Sequence, residues 1–187
     1  MTLPTMVGGL GRDDLLHWSR RIDAGRFATL AAGERIAFPN PELLVSLSAA
    51  AAVTERVRIA ATLFVLPMHA TAWLAKQAAT LDVLSAGRLV LGVGVGGRAE
   101  DYRAVGASFE RRHARMDEQV AELRRIWAGE PPFPGAHPVG PAPAQAGGPP
   151  LWIGAASEPA LRRGAGWAAG VAGFSLGPDP AEVGAGF

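Results

Sequence analysis

Cysteine is absent from this 187-residue sequence, which excludes disulfide bonds, thiolate nucleophiles and cysteine-based metal sites. Lysine occurs once, at Lys76, so arginine supplies nearly all of the positive charge. Aromatic residues make up only 7% of the chain, and the core must therefore be built mainly from alanine, valine and leucine. The formal net charge is +1 and no basic block stands out, which argues against nucleic acid as a partner.

A long hydrophobic run is also missing. The longest apolar stretch, residues 43–53, is interrupted by Ser46 and Ser48 and is too short to cross a bilayer. The N-terminus lacks the basic and then apolar segments of a signal peptide. We therefore expect a cytoplasmic protein that does not bind membranes. The chain length suits one well-buried domain over residues 1–187.

Signatures of several common enzyme classes are missing as well. The sequence has no Gly-x-Ser-x-Gly elbow and no phosphate-binding Walker loop. No two of the four histidines have the spacing of a metal-binding pair. We expect no metal site. The histidines are His17, His69, His113 and His137.

What the sequence does contain is a repeated alternation of strand and helix patterns. We predict strands over residues 3–7, 27–32, 57–65, 89–95, 151–154 and 171–174. We predict helices over residues 13–24, 41–54, 70–84, 99–105, 110–128 and 159–169, with a last one beginning near 180. Asn40 and Pro41 are expected to start the second helix as N-cap and first helical residue. Residues 129–150, rich in proline and glycine, predict a surface loop.

Repeated strand–helix units with right-handed crossovers predict an α/β fold with a parallel sheet. The sheet is either open and doubly wound or closed into a barrel. No Gly-x-Gly-x-x-Gly follows the first strand, which weakens the open, dinucleotide-binding alternative. We therefore predict a TIM-barrel-type (β/α) barrel with about six of its eight units, lacking the last two. Either the sequence is incomplete, or another subunit covers the gap.

A family resemblance is carried by GERIAF, VTERVRIAATLFVLPMH, AKQAATLDVLSAGRLVLGVGVGG, DYRAVG and RMDEQVAELRRIW, and by PPLWIGAASEPALRRGAGWAAGVAGF further on. Together these segments resemble the bacterial luciferase-like monooxygenase superfamily over nearly the whole chain. The resemblance implies a TIM barrel with FMN, or alternatively the deazaflavin coenzyme F-420, bound at the carboxyl ends of its strands. It implies a flavin-dependent oxidoreductase or monooxygenase acting on a small organic substrate. It also implies a homodimer, for which the Ala-rich helix 41–54 is a candidate face.

Three polar residues near strand ends are candidate catalytic residues. The family commonly has Glu-His after the second strand, where this sequence has Glu34 and Arg35. Because arginine stays protonated, Arg35 cannot transfer a proton at neutral pH. Arg35 either holds an anionic substrate or the flavin edge, or simply pairs with Glu34 at the surface. His69 follows the third strand and either transfers a proton or serves as the N-cap of its helix.

Thr62 and Leu63 lie where the family often has a non-proline cis peptide that bulges against the flavin ring; the alternative is an ordinary strand. Gly94, in the glycine-rich end of the fourth strand, either lets a flavin approach the backbone or serves close packing. Where bacterial luciferases carry a phosphate-binding arginine, this sequence has Val95, and Arg98 is near enough to substitute.

The turn of Gly154, Ala155, Ala156 and Ser157 resembles the family's flavin phosphate cradle, where free amides at a helix start favour an anion. Asp101 and Tyr102 follow the loop after the fourth strand and either face the pocket or lie on a helix surface, and we expect the helix surface. A second hypothesis is a non-catalytic barrel remnant that binds flavin weakly or not at all. The missing histidine, the missing phosphate arginine and the two missing units favour it.

Overall fold

Five parallel strands, paired in chain order, form the centre of the protein in a computed structural model that describes residues 1–173. The strands are β1 Thr29–Ala32, β2 Arg58–Val65, β3 Leu89–Gly94, β4 Leu151–Gly154 and β5 Gly170–Ala172. The predicted parallel α/β fold is confirmed. Phe174 of the last predicted strand and the predicted helix near residue 180 lie outside the described residues.

The helices of residues 1–173 lie between the strands along the chain. They are α1 Arg12–Ala24, α2 Leu43–Ala51, α3 Thr71–Leu84, α4 Ala99–Ala104, α5 Arg112–Trp127 and α6 Glu158–Gly164, and a short 3-10 turn covers Leu66–Met68. In the first turn of α1, the Asp14 side chain accepts a hydrogen bond from the amide of Gly11 (3.1 Å). A negative charge is stabilising there because the helix dipole is positive at this end. None of the described helices is long and apolar enough to cross a membrane.

The strand order decides between the two predicted sheet types. A doubly wound sheet reverses its strand order, whereas here the order follows the chain without reversal. Right-handed crossovers then place the connecting helices on one face of the sheet. Alternate strand residues such as Leu30, Ile59 and Leu91 accordingly share one core cluster with Leu47 of α2 and Leu74 of α3. The sheet is a curled half-barrel, as the TIM-barrel prediction requires.

The other face of the sheet is the inner face of the barrel wall. It carries a small separate cluster of Ala31, Ala60 and Val90, with partly buried Trp152 packed against it. Since successive side chains on a strand point to opposite faces, Gly94 and Gly154 also belong to this inner face, each following an outward residue of the main core. The inner face therefore consists of small side chains toward the carboxyl ends of β3 and β4.

The first predicted strand, residues 3–7, is wrong in its bounds. The N-terminus does run beside β1, through a parallel bridge between Thr2 and Ala31 and a hydrogen bond from Leu3 N to Ala31 O (2.7 Å). Pro4 then follows, and because proline has no N–H it cannot extend the ladder. The segment takes the place of a first strand but pairs only over its first residues.

The predicted start of the second helix is also wrong. Glu42, not Asn40, is the N-cap of α2, and its Oε2 accepts a hydrogen bond from Val45 N (2.6 Å). Asn40 instead donates from Nδ2 to the carbonyl of Pro41 (3.0 Å). The chain from 37 to 42 remains irregular, and α2 begins at Leu43.

The Pro/Gly-rich segment 129–150 contains no helix or strand, as predicted. It is nevertheless fixed to the barrel wall. Buried Asp82 of α3 accepts hydrogen bonds from Gln145 N (2.9 Å) and Gln145 Nε2 (2.7 Å). Lys76 donates to the carbonyl of Gly140 (2.8 Å). The loop therefore covers α3 in a defined conformation.

Candidate functional site

The loops that follow the parallel strands meet at one rim, the carboxyl end of the half-barrel. Glu34 and Arg35 follow β1, His69 follows β2, Arg98 follows β3, and Ser157 follows β4. The predicted site residues therefore come from four consecutive loops on the same end of the sheet. Among residues 1–173 no group of three or more histidine, aspartate or glutamate side chains has the arrangement of a metal site.

Glu34 and His69 form a partly buried pair at this rim. The Glu34 side chain is only 3% exposed, and its Oε2 accepts a hydrogen bond from Val65 N (2.7 Å). Its Oε1 lies 2.9 Å from His69 Nε2, and the His69 ring stacks on Phe64 with 4.2 Å between ring centroids. A carboxylate here accepts from Nε2–H, which leaves the Nδ1 lone pair free to accept a proton.

The alternative role of His69 as a helix N-cap is wrong. Ala70 occupies the N-cap position of α3, and His69 directs its side chain to Glu34 instead. Its backbone is held separately, because Gln119 of α5 donates from Nε2 to the carbonyl of His69 (2.8 Å). Gln119 is fully buried. Both the ring and the backbone of His69 are thus fixed by residues distant along the chain.

Arg35 does not pair with Glu34, so the surface-pair alternative is wrong. Its Nε lies 3.0 Å from Asp101 Oδ2 and its Nη2 lies 3.1 Å from Glu100 Oε1. The Arg35 side chain is 16% exposed. Two carboxylates of α4 therefore oppose its charge, and the contact joins the loop after β1 to the loop after β3.

Asp101 is buried, which contradicts its predicted place on a helix surface. Besides Arg35, it accepts hydrogen bonds from the amides of Ile36 (3.2 Å) and Ala37 (2.7 Å). Burial alone would raise the pKa of Asp101, but the Ala37 amide and the Arg35 guanidinium outweigh burial and lower it. Asp101 therefore anchors the loop that carries Glu34.

Tyr102 is buried too, and the surface prediction is wrong for it as well. Its hydroxyl donates to the carbonyl of Val95, the first residue after β3. Burial raises the pKa of Tyr102 to about 12; the charge of Arg112 lowers it and that of Glu34 adds to the increase. Tyr102 is thus a neutral donor that fixes the chain after β3.

Leu63 occupies the inner face where the resemblance implied a bulge. The Thr62–Leu63 peptide is cis, and the pairing of β2 with β3 is interrupted between Ala61 and Phe64. The Leu63 side chain lies over two glycines: a Cβ added at Gly94 would come within 2.7 Å of Leu63 Cδ1, and one at Gly154 within 2.4 Å. The space left by the missing side chains of these glycines is filled by Leu63. For Gly94 this corresponds to the close-packing alternative.

The remaining predicted cofactor residues lie at the outer part of the rim. Arg98 is exposed at the N-cap position of α4 and has no side-chain hydrogen bond or ion pair within residues 1–173. Ala156 and Ser157 are exposed, and Ser157 makes no side-chain cap of α6. Ala155 is buried and donates from its amide to Ala172 O (3.3 Å). Because Gly154 contacts Leu63, this turn begins beside the inner-face leucine.

Sequence reasoning missed the contribution of Gln119, although a signal was present. Gln119 lies three residues after Met116 and four before Leu123, in the apolar stripe of α5. A polar residue at a buried helical position needs a partner, and the partner is the backbone of His69. The sequence carries no comparable signal for the contacts of Arg35 with α4.

Comparison with known proteins identifies the family. The family model described as luciferase-like monooxygenase matches residues 4–185. The chain belongs to this family. It is 35% identical over 155 residues to an uncharacterized protein of Mycobacterium tuberculosis, a match that covers 78% of this chain and 51% of that protein.

Two solved structures share the fold. One is the oxygenating constituent of 3,6-diketocamphane monooxygenase from Pseudomonas putida in complex with FMN, with a TM-score of 0.74, 19% identity, and coverage of 88% of this chain and 53% of that one. The other is the coenzyme F-420-dependent tetrahydromethanopterin reductase from Methanopyrus kandleri, with a TM-score of 0.75 and 18% identity. The match covers 95% of this chain and 55% of that one. The chain spans about half the length of these proteins.

Proposed function

We propose that this member of the luciferase-like monooxygenase family contributes the flavin site of an oxidoreductase or monooxygenase that acts on a small organic substrate with a reduced flavin. The observation that carries the proposal is the half-buried Leu63 side chain on the inner face, at the carboxyl ends of the strands. The Glu34–His69 pair lies at the same rim. An apolar surface beside a polar pair is what a planar ring with one polar edge requires.

The residues present fit such a ring. Leu63 and Val65 are both half-buried, so each keeps apolar surface that a ring can cover. Gly94 and Gly154 let Leu63 pack closely against β3 and β4, which fixes the position of that surface. A bound flavin would supply the redox chemistry, while Leu63 and Val65 would orient the ring.

His69 is the residue proposed to hold and move a proton at this site. Histidine is the side chain whose charge changes near neutral pH. Glu34 and Gln119 hold its ring and backbone in one orientation, so Nδ1 is the nitrogen that can exchange a proton. Arg35 is proposed to position the Glu34 loop through Asp101, and not to bind substrate, because the carboxylates of Glu100 and Asp101 already oppose its charge.

The phosphate end of the cofactor is proposed to meet the exposed Ser157 turn, with Arg98 as an additional cation. The cofactor is proposed to be FMN, with coenzyme F-420 as the alternative. One structural neighbour is described in complex with FMN and another as coenzyme F-420-dependent, so the names of the neighbours support both.

A non-catalytic barrel remnant is the second candidate. The observation that favours it is the engagement of Arg35, at the position where the family commonly has a histidine, by two carboxylates of α4. The chain also spans about half the length of its relatives. This candidate predicts that neither FMN nor coenzyme F-420 binds.

A fluorescence titration tests the proposal. FMN and coenzyme F-420 are each titrated into the wild-type protein, Leu63→Asp and Leu84→Asp; Leu84 is a 65% exposed leucine on α3 and serves as the matched control. We expect saturable quenching with one cofactor, binding about tenfold or more weaker in Leu63→Asp because a charge replaces apolar contact, and no change in Leu84→Asp. Circular dichroism checks that both variants fold. Absence of binding by both cofactors to the wild type would contradict the proposal.

A further inference from the structure

A groove of about 240 Å³ opens beside His69, between the turn Leu66–Met68 and the segment that joins α4 to α5. Pro67 and Met68 form its apolar side. Ser108, Arg111 and Arg115 line the opposite side. None of the residues that line the groove is acidic.

His69 belongs both to this groove and to the pair with Glu34. Glu34 contacts Nε2 of the imidazole and does not line the groove. The contact that orients the ring therefore lies outside the groove. The His69 side chain keeps 24% of its surface exposed. His69 itself lines the groove, and Nδ1 is the ring nitrogen that Glu34 does not contact.

The two arginines of the groove are only loosely paired. Arg111 and Arg115 share a single carboxylate, that of Glu118, at 3.5 Å and 3.8 Å. The Ser108 hydroxyl donates to exposed Glu110 (3.1 Å), which lies outside the lining. Arg115 Nη2 also donates to the Thr71 hydroxyl at 3.5 Å. These contacts are few and long, so both guanidiniums retain unused N–H donors, and such donors suit a carboxylate or phosphate.

We propose that this groove binds the anionic group of a small organic substrate and so presents the substrate to His69 Nδ1. The inference deepens the proposed function, on which it rests, by assigning the substrate class: an organic carboxylate or phosphate. Arg111 and Arg115 hold the anion, Pro67 and Met68 contact the carbon skeleton, and His69 exchanges the proton. A neutral molecule of the same size would lack the charge contacts.

The test measures anion binding in the absence of flavin, with the NMR signal of the His69 ring as the readout. That signal is assigned by its loss in the His69→Gln variant. Benzoate, inorganic phosphate and neutral benzyl alcohol are titrated separately, so that the first two arms distinguish carboxylate from phosphate. We expect one or both anions to shift the His69 signal saturably. The Arg111→Gln/Arg115→Gln double variant should bind that anion about fivefold or more weakly.

Arg125→Gln is the matched control, because Arg125 lies on the same helix, is 55% exposed and pairs with Glu130 away from the groove. It should bind as the wild type does. The proposal is overturned if neither anion shifts the His69 signal, if benzyl alcohol binds as well as the anions, or if the double variant is unaffected. Since flavin is absent, these outcomes are independent of the flavin titration, and either proposal can fail alone.

Discussion

At the scale of single residues, the site depends on contacts between positions far apart in the chain. Glu34 and His69 are separated by 35 residues, and Arg35 and Asp101 by 66. The sequence shows that each of these residues follows a strand, so their place at the rim was predictable. Their partners were not, because partner choice depends on how the loops pack. This is why a neighbouring Glu34–Arg35 pair was predicted and not found.

Asp101 gives a pH-dependent prediction. Its folded pKa lies below the ordinary 3.8, so its stabilising effect is fully present above that value and is lost as the pH falls through the lowered pKa. We expect Asp101→Asn to lower the free energy of unfolding at pH 7 by about 1–3 kcal/mol, because the Ala37 amide and Arg35 lose a charged acceptor. Below pH 4 or so the difference from wild type should shrink.

Urea denaturation of wild type and Asp101→Asn across this pH range provides the measurement. Asp13→Asn is the control, because the Asp13 side chain is 91% exposed in its pair with Arg12. A difference between wild type and Asp101→Asn that stays constant from neutral to acidic pH would contradict the assignment of an ionised, stabilising carboxylate.

At the scale of helices and strands, continuous apolar runs were the reliable signal. The runs 57–65, 89–95 and 151–154 each became a parallel strand within one residue of the predicted bounds, since most residues of these strands are buried. Boundaries that depend on a single side chain were less predictable. Pro4 ends the first pairing early, and Glu42 displaces Asn40 as a cap because its longer side chain reaches the amide of Val45.

Arg88 joins three segments of the chain, namely the end of α2, the residue before β2 and the end of α3. Its Nη2 donates to the carbonyls of Ala51 (3.2 Å), the last residue of α2, and of Thr54 (2.7 Å). Its Nη1 donates to Val57 O (2.8 Å) before β2. Its Nε donates to Ser85 O (2.7 Å) at the end of α3. One planar guanidinium therefore satisfies carbonyl groups from three segments at the amino ends of the strands.

We expect Arg88→Lys to lower the free energy of unfolding by about 1–3 kcal/mol, because one ammonium group cannot reach all of these carbonyls. Chemical denaturation measures the change. Arg58→Lys is the matched control, since Arg58 is exposed on β2 and its side chain makes no hydrogen bond within residues 1–173. Equal stability of Arg88→Lys and Arg58→Lys would show that the Arg88 contacts contribute nothing specific.

At the scale of the whole molecule, the strands form a barrel wall whose inner face is lined by small apolar residues and Trp152. That residues 1–187 form a single domain stays a prediction. The homodimer implied by family resemblance also remains a proposal, and the surface supports it. Val45 in the first turn of α2 is 71% exposed, and Trp73 in the first turn of the neighbouring α3 is 62% exposed.

We propose that this face of α2 and α3 packs against a second copy of the chain. Sedimentation analysis should find a dimer for the wild type and a monomer for Val45→Glu/Trp73→Glu, because burying two carboxylates in an interface is unfavourable. Phe133→Glu should remain dimeric, since Phe133 is equally exposed but lies in the Pro/Gly-rich loop. A monomeric wild type would refute the proposed interface.

The central claim is that a planar flavin ring lies over Leu63 at the carboxyl ends of the strands, and methyl NMR during FMN addition tests it most directly. Ring currents should shift the methyl signals of Leu63 and Val65, which are half-buried at that rim. Val57 and Leu89, at the amino ends of β2 and β3, should keep their positions. Shifts confined to methyl groups away from the rim, or no shifts at saturating FMN, would contradict the claim.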